Sequence, residues 1–472
     1  MVVSYNFGHL YIHLWEWISL PFYLLIIYFI SKYYQERRIA KNPVYKFYQR
    51  GLYIKILGGI FFALIYYYYY KGGDTFSYFE SAMVMKNTMF ESFSAWFKNE
   101  FGQANDANFS LFTNHTGYPL PYMYNDTQTF AVIRLINPLL ILSFNGYLIT
   151  SILVAWISYS GVWRLFLVFT NYYPHLKKQL FITIVCFPSV IFWASGILKD
   201  TITLCCTGWA VYAIYKAFIE RKGVIRYLLI LLVSLYLILL IKPYIILALL
   251  PGTLIWVFSQ KIQKMHNILL KVLIIPAIFV ACFSGAYYLV KNLNGYLGKF
   301  SIEKIEKTAL VTSNDLKQSY YGGHSFDIGP IDNTLAGYAK IFPKAFTAGA
   351  YRPFIWESSN IVMLFSGIEN MYLLYLTFII LVKVRFNVIK RILREPMLIF
   401  AMGYSIFFAF SVGLTTSNFG ALVRFRVAYL PFFASALLVL RHKKGTLPEA
   451  SVEESNTDLD TRESYTPGLQ TY

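Results

Sequence analysis

Residues 57–74 read LGGIFFALIYYYYYKGGD, an apolar and aromatic run that stops at two glycines and an aspartate. Extended back to residue 51, the run supplies the roughly 20 residues that an α-helix needs to cross a hydrocarbon core of about 30 Å. The segment that follows, from Lys71 to Gln128, is polar. The pattern predicts that Asp74 lies at a membrane surface, where the chain leaves the bilayer.

The composition of the whole chain also indicates a membrane protein. Its 472 residues are 57% hydrophobic, 19% aromatic and only 14% charged. A soluble globule with so little charge could not cover its surface. Apolar runs of spanning length recur along nearly the whole chain. The sequence therefore predicts an all-α fold, a polytopic helical membrane protein.

About eleven transmembrane helices are predicted, within a range of about ten to thirteen. They fall at residues 14–31, 51–70, 145–168, 179–197, 201–219, 227–242, 245–260, 267–290, 361–383, 396–413 and 425–441. Residues 129–144 are apolar but contain Arg134, Asn137 and Pro138, which favours an interfacial or re-entrant helix. The helices form one transmembrane domain over residues 1–444.

Three polar regions complete this organisation. Two long loops, at about 71–128 and 291–356, are predicted to face outward and to carry amphipathic helices. The tail, residues 445–472, is rich in Glu, Asp, Ser and Thr and has almost no large aliphatic residues. Such a segment cannot bury enough apolar surface to fold, so a disordered cytoplasmic tail is predicted.

The basic residues predict the orientation of the chain. Lys and Arg cluster in short connections, which the positive-inside rule places in the cytoplasm. The clusters fall within residues 32–50, 177–178, 221–226, 261–264, 383–394 and 441–444. Alternating the helices between these clusters puts the N-terminus outside and the C-terminus in the cytoplasm. The net charge of +18 then reflects these cytoplasmic clusters, so membrane lipids are expected partners and no nucleic-acid partner is predicted.

Seven charged residues fall near helix ends on the outward side of this arrangement. They are Asp74, Lys199, Asp200, Lys242, Arg352, Arg424 and Arg426. Charge at membrane depth is costly, so each of these residues requires a partner or a function. The sequence thus predicts a polar cluster at one membrane surface.

Two interpretations of the acidic members stay open. A carboxylate at Asp74 could take a proton from a hydroxyl group, and Gly72 and Gly73 would leave room for a substrate beside it. Alternatively, Asp74 caps the helix that starts at Thr75. Asp200 could likewise cap the next helix, while Lys199 either contacts substrate or extends toward the headgroups.

The arginines indicate phosphate binding. A guanidinium group presents a planar fork of donors that matches phosphate oxygens, and its charge does not titrate. Arg352, Arg424 and Arg426 are therefore candidates to stabilise a phosphate leaving group. The alternative is that each arginine binds an anionic lipid headgroup. The chain contains no P-loop, HExxH, CxxC or dinucleotide fingerprint, so neither a cofactor nor a metal site is predicted, although a divalent cation is not excluded.

Three motifs resemble those of bacterial multispanning sugar transferases. They are GGDTFSY at 72–78, FPSVIFWASGILKD at 187–200 and RPFIWE at 352–357. Together they are similar to Wzy-like and EpsG-like polysaccharide polymerases and to the wider GT-C glycosyltransferase superfamily. Asp74 follows the second predicted helix and has no adjoining second acid, which favours the polymerase-like version over the mannosyltransferase-like one.

The resemblance implies an enzyme of the bacterial inner membrane that transfers or polymerises sugars carried on undecaprenyl lipid, at the outward face. Asp74 would be the catalytic or acceptor-positioning carboxylate. Arg352, Arg424 and Arg426 would hold the lipid phosphate. Lys199, Asp200 and Lys242, from the same outward charged cluster, are further candidates to bind the substrate or its lipid phosphate. The expected partners are a lipid-linked sugar donor and a glycan acceptor.

Two other classes of function stay open. A transporter or flippase of lipid-linked sugars would need charges within the spans that line a central path, whereas nearly all charges here lie at helix ends. A non-catalytic protein of envelope assembly would leave the outward charged cluster without a purpose.

Overall fold

The computed structural model describes residues 10–263, 326–329, 334–385 and 387–442, with isolated positions between 273 and 288. These residues form an all-α structure. The predicted tail, most of the predicted span at 267–290 and most of the loop at 291–356 lie outside the described residues. The α-helices are α1 (Leu14–Ile39), α2 (Tyr48–Leu64), α3 (Asp74–Glu91), α4 (Phe93–Phe101), α5 (Asp106–Phe109), α6 (Pro121–Asn125), α7 (Thr127–Leu142), α8 (Tyr147–Tyr172), α9 (Lys177–Val185), α10 (Pro188–Trp193), α11 (Lys199–Ile214), α12 (Val224–Ile241), α13 (Tyr244–Gln263), α14 (Leu335–Tyr351), α15 (Ile361–Val384), α16 (Asn387–Arg394), α17 (Pro396–Thr415), α18 (Phe419–Phe425) and α19 (Leu430–Arg441).

Seven helices in the described part of the chain are long and apolar enough to cross a membrane. They lie at Leu14–Ile39, Pro43–Tyr70, Tyr147–Tyr172, Lys199–Ile219, Val224–Ile241, Ile361–Val384 and Pro396–Thr415. An eighth span results if Phe419–Ala428 and Leu430–Arg441, which meet at a bend of 70°, are taken together. The protein is therefore a multi-pass helical membrane protein by helix length and composition.

The predicted span at 179–197 is wrong as a single helix. Its residues form α9 and the short helix α10, with a break at Phe187. Phe187 has an extended backbone, φ −68° and ψ 129°. The cause is Pro188, because the proline ring disfavours helical backbone in the residue before it. The chain then turns at residues 194–198 and enters α11.

Helix α7 corresponds to the predicted interfacial or re-entrant helix. It has 16 residues, fewer than the roughly 20 that a bilayer requires. Near its start, Thr129 accepts a hydrogen bond from Lys199 at the beginning of α11. Just past its end, Asn145 accepts one from Lys86 in α3. Both ends of α7 thus contact the elements around one end of the bundle.

The long helices place polar residues at two opposite ends of the bundle. At the Asp74 end, the backbone N–H of Leu148 donates to Glu16 over 2.8 Å, which joins the starts of α8 and α1. The opposite end carries the basic connections at residues 32–50, 177–178 and 383–394 and is called the basic end. There, Tyr173 donates to Glu395 over 2.7 Å. Also at the basic end, Arg391 donates to the carbonyl of Leu440 over 3.1 Å.

Glycines allow the closest helix contacts in the bundle. A Cβ atom on Gly161 of α8 would lie 2.0 Å from the Cys205 carbonyl oxygen of α11, and a Cβ on Gly208 would lie 2.1 Å from the Gly161 oxygen. Small residues let helix backbones approach where lipid supplies no hydrophobic driving force between helices. Helices α8 and α11 are thereby fixed against each other, which sets the position of the α11 start.

The orientation of the bundle is tested by reporter fusions along the chain. Because the basic connections are expected in the cytoplasm, fusions at Lys41, Lys222 and Lys390 should give cytoplasmic fluorescence and no alkaline phosphatase activity. A fusion at Asn105, in the segment at the Asp74 end, should give the opposite pattern. A cytoplasmic signal at Asn105 would reverse the predicted orientation.

Candidate functional site

Asp74 lies immediately after a sharp change in chain direction. Residues Ile65–Tyr70 extend α2 as a π-helix, and Lys71 takes the left-handed conformation with φ 52°. Gly72 and Gly73 follow with φ values of 154° and 101°. Gly73 is the N-cap of α3 and Asp74 is its first residue, with no side-chain cap hydrogen bond. Asp74 therefore does not fill the N-cap position that the alternative interpretation gave it.

Gly73 is the glycine on which this turn depends most. An alanine there would hold a positive φ and place its Cβ 3.0 Å from the Tyr66 ring. We expect Gly73→Ala to cost about 1–3 kcal/mol of stability. Gly72→Ala is the matched control for backbone strain alone, since its φ of 154° is also unfavourable for alanine but nothing lies within 4 Å of its Cβ. Thermal unfolding in detergent should show a larger loss for Gly73→Ala, and equal losses would contradict the importance of the Tyr66 contact.

Arg424 joins Asp74 to a second carboxylate. Its Nη1 donates to Asp74 Oδ2 over 2.7 Å, and its Nε donates to Asp200 Oδ2 over 2.9 Å. Asp74 is 48% exposed at its side chain, whereas Asp200 is 1% exposed. One guanidinium group therefore bridges an accessible acid and a buried acid. Charge-assisted bonds of this kind are among the strongest in proteins.

Lys242 completes the arrangement on the buried side. It lies at the break between α12 and α13, and its ammonium donates to Asp200 Oδ1. Burial by itself would lower the pKa of Lys242, but the neighbouring Asp200 carboxylate holds the pKa above its usual value. Lys242 and Arg424 thus both carry positive charge beside Asp200. Four of the seven predicted residues form one connected charge cluster: Asp74, Asp200, Lys242 and Arg424.

Lys199 belongs to a neighbouring contact. Its ammonium donates to Thr129 Oγ1 over 2.7 Å and lies 3.4 Å from Asp126 Oδ2. Asp126 is the N-cap of α7, where it accepts from the backbone N–H of Gln128. Lys199 therefore ties the start of α11 to the start of α7. Lys199 thus contacts protein groups, whereas the alternative interpretation had it extend toward the lipid headgroups.

Arg352 and Arg426 form a separate group. Arg426 is 1% exposed, and it donates to Asn370 and to the carbonyl oxygens of Ala350 and Arg352, the last over 3.0 Å. Arg426 therefore joins the end of α14, at Ala350 and Arg352, to Asn370 in α15. Arg352 donates to Glu357 over 3.0 Å and lines a cavity of about 510 Å³ with Lys344.

A single short helix connects the two groups. Helix α18 carries Arg424 near its end, and Phe419 at its start lies against the Arg352 guanidinium, 5.0 Å from ring centroid to Cζ. At about 1.5 Å per residue, the five-residue step from Phe419 to Arg424 corresponds to about 8 Å along the helix. Apart from Lys199, the predicted residues thus lie in two neighbouring groups, and only the first contains Asp74.

Four charged residues near the predicted ones were not predicted from the sequence. Asp126 contacts Lys199, and Glu357 contacts Arg352. Lys55 and Glu369 contact the backbone at the two ends of α10. Asp126 precedes Thr-Gln-Thr, which is an N-cap signal that could have been recognised. Lys55 and Glu369 lie within predicted spans, and ionisable residues at such positions indicate a partner or a function.

The charge cluster has the groups needed for proton transfer and for anion binding, namely an accessible carboxylate and a partly buried arginine. No three His, Cys, Asp or Glu side chains among the described residues are close enough to hold a metal ion. Comparison of the chain with protein-family models, with curated proteins and with solved structures finds no match.

Proposed function

We propose that this membrane protein is a glycosyltransferase or polysaccharide polymerase that uses undecaprenyl-linked sugars at the outward face of the bacterial inner membrane. The observation that supports the proposal most is the bridge of Arg424 between Asp74 and Asp200. It places an accessible carboxylate and a phosphate-binding group within one hydrogen bond of each other. A sugar transfer from a lipid phosphate requires both.

In the proposed reaction, an acceptor hydroxyl oxygen attacks the anomeric carbon of the donor sugar. Asp74 takes the hydroxyl proton as the new glycosidic bond forms. The bond between the anomeric carbon and the phosphate oxygen breaks, and the lipid diphosphate leaves with the electron pair. Arg424 stabilises the negative charge on that leaving group.

The bridge also links donor binding to the position of the carboxylate. When a donor phosphate accepts the Nη1 hydrogen bond of Arg424, the Asp74 carboxylate is released toward the acceptor hydroxyl. Asp200 still accepts the Nε hydrogen bond of Arg424, and Lys242 donates to the same buried carboxylate.

Proteoliposomes test the proposal directly. Purified protein is mixed with lipid-linked oligosaccharides extracted from the membranes of its native host, and the products are separated by gel electrophoresis. Longer glycans with release of undecaprenyl diphosphate are the expected result. If the glycans keep their length while the lipid-linked sugar crosses the bilayer, the protein is a flippase and the proposal fails.

Arginine-to-lysine substitutions separate the two groups of arginines. Lysine keeps the charge but loses the planar fork, so Arg424→Lys should lower kcat at least about tenfold, equivalent to about 1.4 kcal/mol of transition-state stabilisation. Arg426→Lys should instead lower the thermal midpoint, because the single ammonium nitrogen of lysine cannot reach the acceptors that the two Nη atoms of Arg426 bond. Arg352→Lys is the comparison for a cation outside the charge cluster. Full activity in Arg424→Lys would remove its phosphate-binding role.

A further inference from the structure

The short helix α10 has a buried charged side chain at each end. At its start, Glu369 of α15 accepts from the backbone N–H of Ser189 over 2.8 Å. At its end, the ammonium of Lys55 in α2 donates to the carbonyl of Ala194. Glu369 is 4% exposed and Lys55 is 1% exposed. Each side chain supplies the hydrogen-bonding group that the helix end lacks, an acceptor at the N-terminus and a donor at the C-terminus.

Backbone packing holds α10 directly against α2. A Cβ on Gly58 would lie 2.2 Å from the Ile191 carbonyl oxygen, and one on Gly59 would lie 3.2 Å from the Ser195 oxygen. In the turn after α10, a Cβ on Gly196 would lie 2.0 Å from the Phe62 ring of α2. The backbone of α10 therefore lies against α2 at Gly58, and the turn at 194–198 packs on the same helix, so a small displacement of α10 would be transmitted to this turn.

That turn leads straight to the charge cluster. Thr201 donates to the Gly196 carbonyl over 2.6 Å, and Ile197 and Leu198 are fully buried. Asp200, the second residue of α11, follows immediately. The position of its carboxylate beside Arg424 thus depends on where α10 ends.

We propose that Lys55 and Glu369 are positioning residues that clamp α10 and thereby hold Asp200 against Arg424. The Lys55–Glu369 clamp consists of these two side chains and the backbone groups they bind. Because the two side chains come from two different helices, their hydrogen bonds fix α10 between α2 and α15. Only the catalytic importance of the clamp rests on the proposed function.

Cysteine protection measures the clamp without any glycan assay. The four native cysteines, Cys186, Cys205, Cys206 and Cys282, are replaced, and a single reporter is introduced as Leu198→Cys in the turn. A second protein carries Leu148→Cys, a fully buried position at the start of α8. The rate of modification by a small methanethiosulfonate is measured for each reporter in proteoliposomes, in four backgrounds: unchanged, Lys55→Met, Glu369→Gln and Glu16→Gln.

Glu16→Gln is the matched control, since Glu16 is a buried carboxylate that binds the backbone N–H of Leu148 just as Glu369 binds that of Ser189. We expect Lys55→Met and Glu369→Gln each to speed modification of the residue-198 reporter at least about tenfold, because local opening becomes easier. The residue-148 reporter should stay protected in both. Glu16→Gln should show the reverse pattern.

Two results would overturn the clamp. Unchanged protection at residue 198 in both Lys55→Met and Glu369→Gln would show that neither side chain holds the turn. An equal rise at residues 198 and 148 in those variants would show a general loss of stability rather than a local role. Because no glycan is measured, neither result depends on whether the proposed transferase activity exists.

Discussion

Replacing Asp74 with Asn is expected to abolish glycan transfer and to leave the fold intact. The amide cannot accept the proton of the attacking hydroxyl, so the chemical step loses its base. Asp74 is about half exposed at its side chain, and exposed ion pairs contribute about 0–1 kcal/mol to stability. Measured in proteoliposomes, the variant should give no product, whereas its thermal midpoint should remain close to that of the parent.

Asp106→Asn is the control for this prediction. Asp106 is an exposed acid in the first turn of α5, in the same segment at the Asp74 end. It should therefore report any general effect of removing negative charge from that surface. Normal glycan product from Asp74→Asn would exclude Asp74 as the base, and equal losses in both variants would point to surface charge instead of proton transfer.

The spanning helices could be predicted from the sequence because hydrophobic length is a local property. The runs at α1, α8, α12 and α17 each contain the signal within themselves. The break between α9 and α10 has a local cause too, but the apolar composition on both sides of Pro188 concealed it. The length of the apolar run therefore predicted one span at 179–197, where the structure has the two short helices α9 and α10.

The pairing of Asp74 with Arg424 could not be read from the sequence. The two residues are 350 positions apart, and charge counting assigned them only to the same side of the membrane. Arg352 and Arg426 had the same assignment, yet they form a different group. Which residues meet within one surface depends on the lateral packing of helices, as at Gly161 and Gly208, and this packing is not a local property of the chain.

Lys55 and Glu369 show a different limit. Both are ionisable residues within apolar spans, which indicates a partner or a function but does not identify the partner. Their partners are backbone groups of α10, which become available only because that helix starts and ends inside the bundle. They contact this helix rather than a central path of the kind that a transporter would need.

Replacing Asp200 with Asn should destabilise the protein more than any other single change in the charge cluster. Asp200 is almost fully buried, and its two carboxylate oxygens accept from Lys242 and Arg424. Removing one partner of a buried ion pair leaves the remaining charge uncompensated, at a cost of about 3–5 kcal/mol. Asp126→Asn, in the partly exposed contact with Lys199, should cost only about 0–1 kcal/mol, because asparagine still caps α7 and only the ion pair is lost.

A double-mutant cycle identifies the source of that loss. Lys242→Met removes the more deeply buried of the two cations, so adding it to Asp200→Asn should restore part of the lost stability, although Lys242→Met alone is itself destabilising. Chemical or thermal unfolding in detergent measures all four proteins. If the losses in the two single variants simply add in the double variant, Asp200 and Lys242 do not depend on each other, and burial of Asp200 must be stabilised by Arg424 alone.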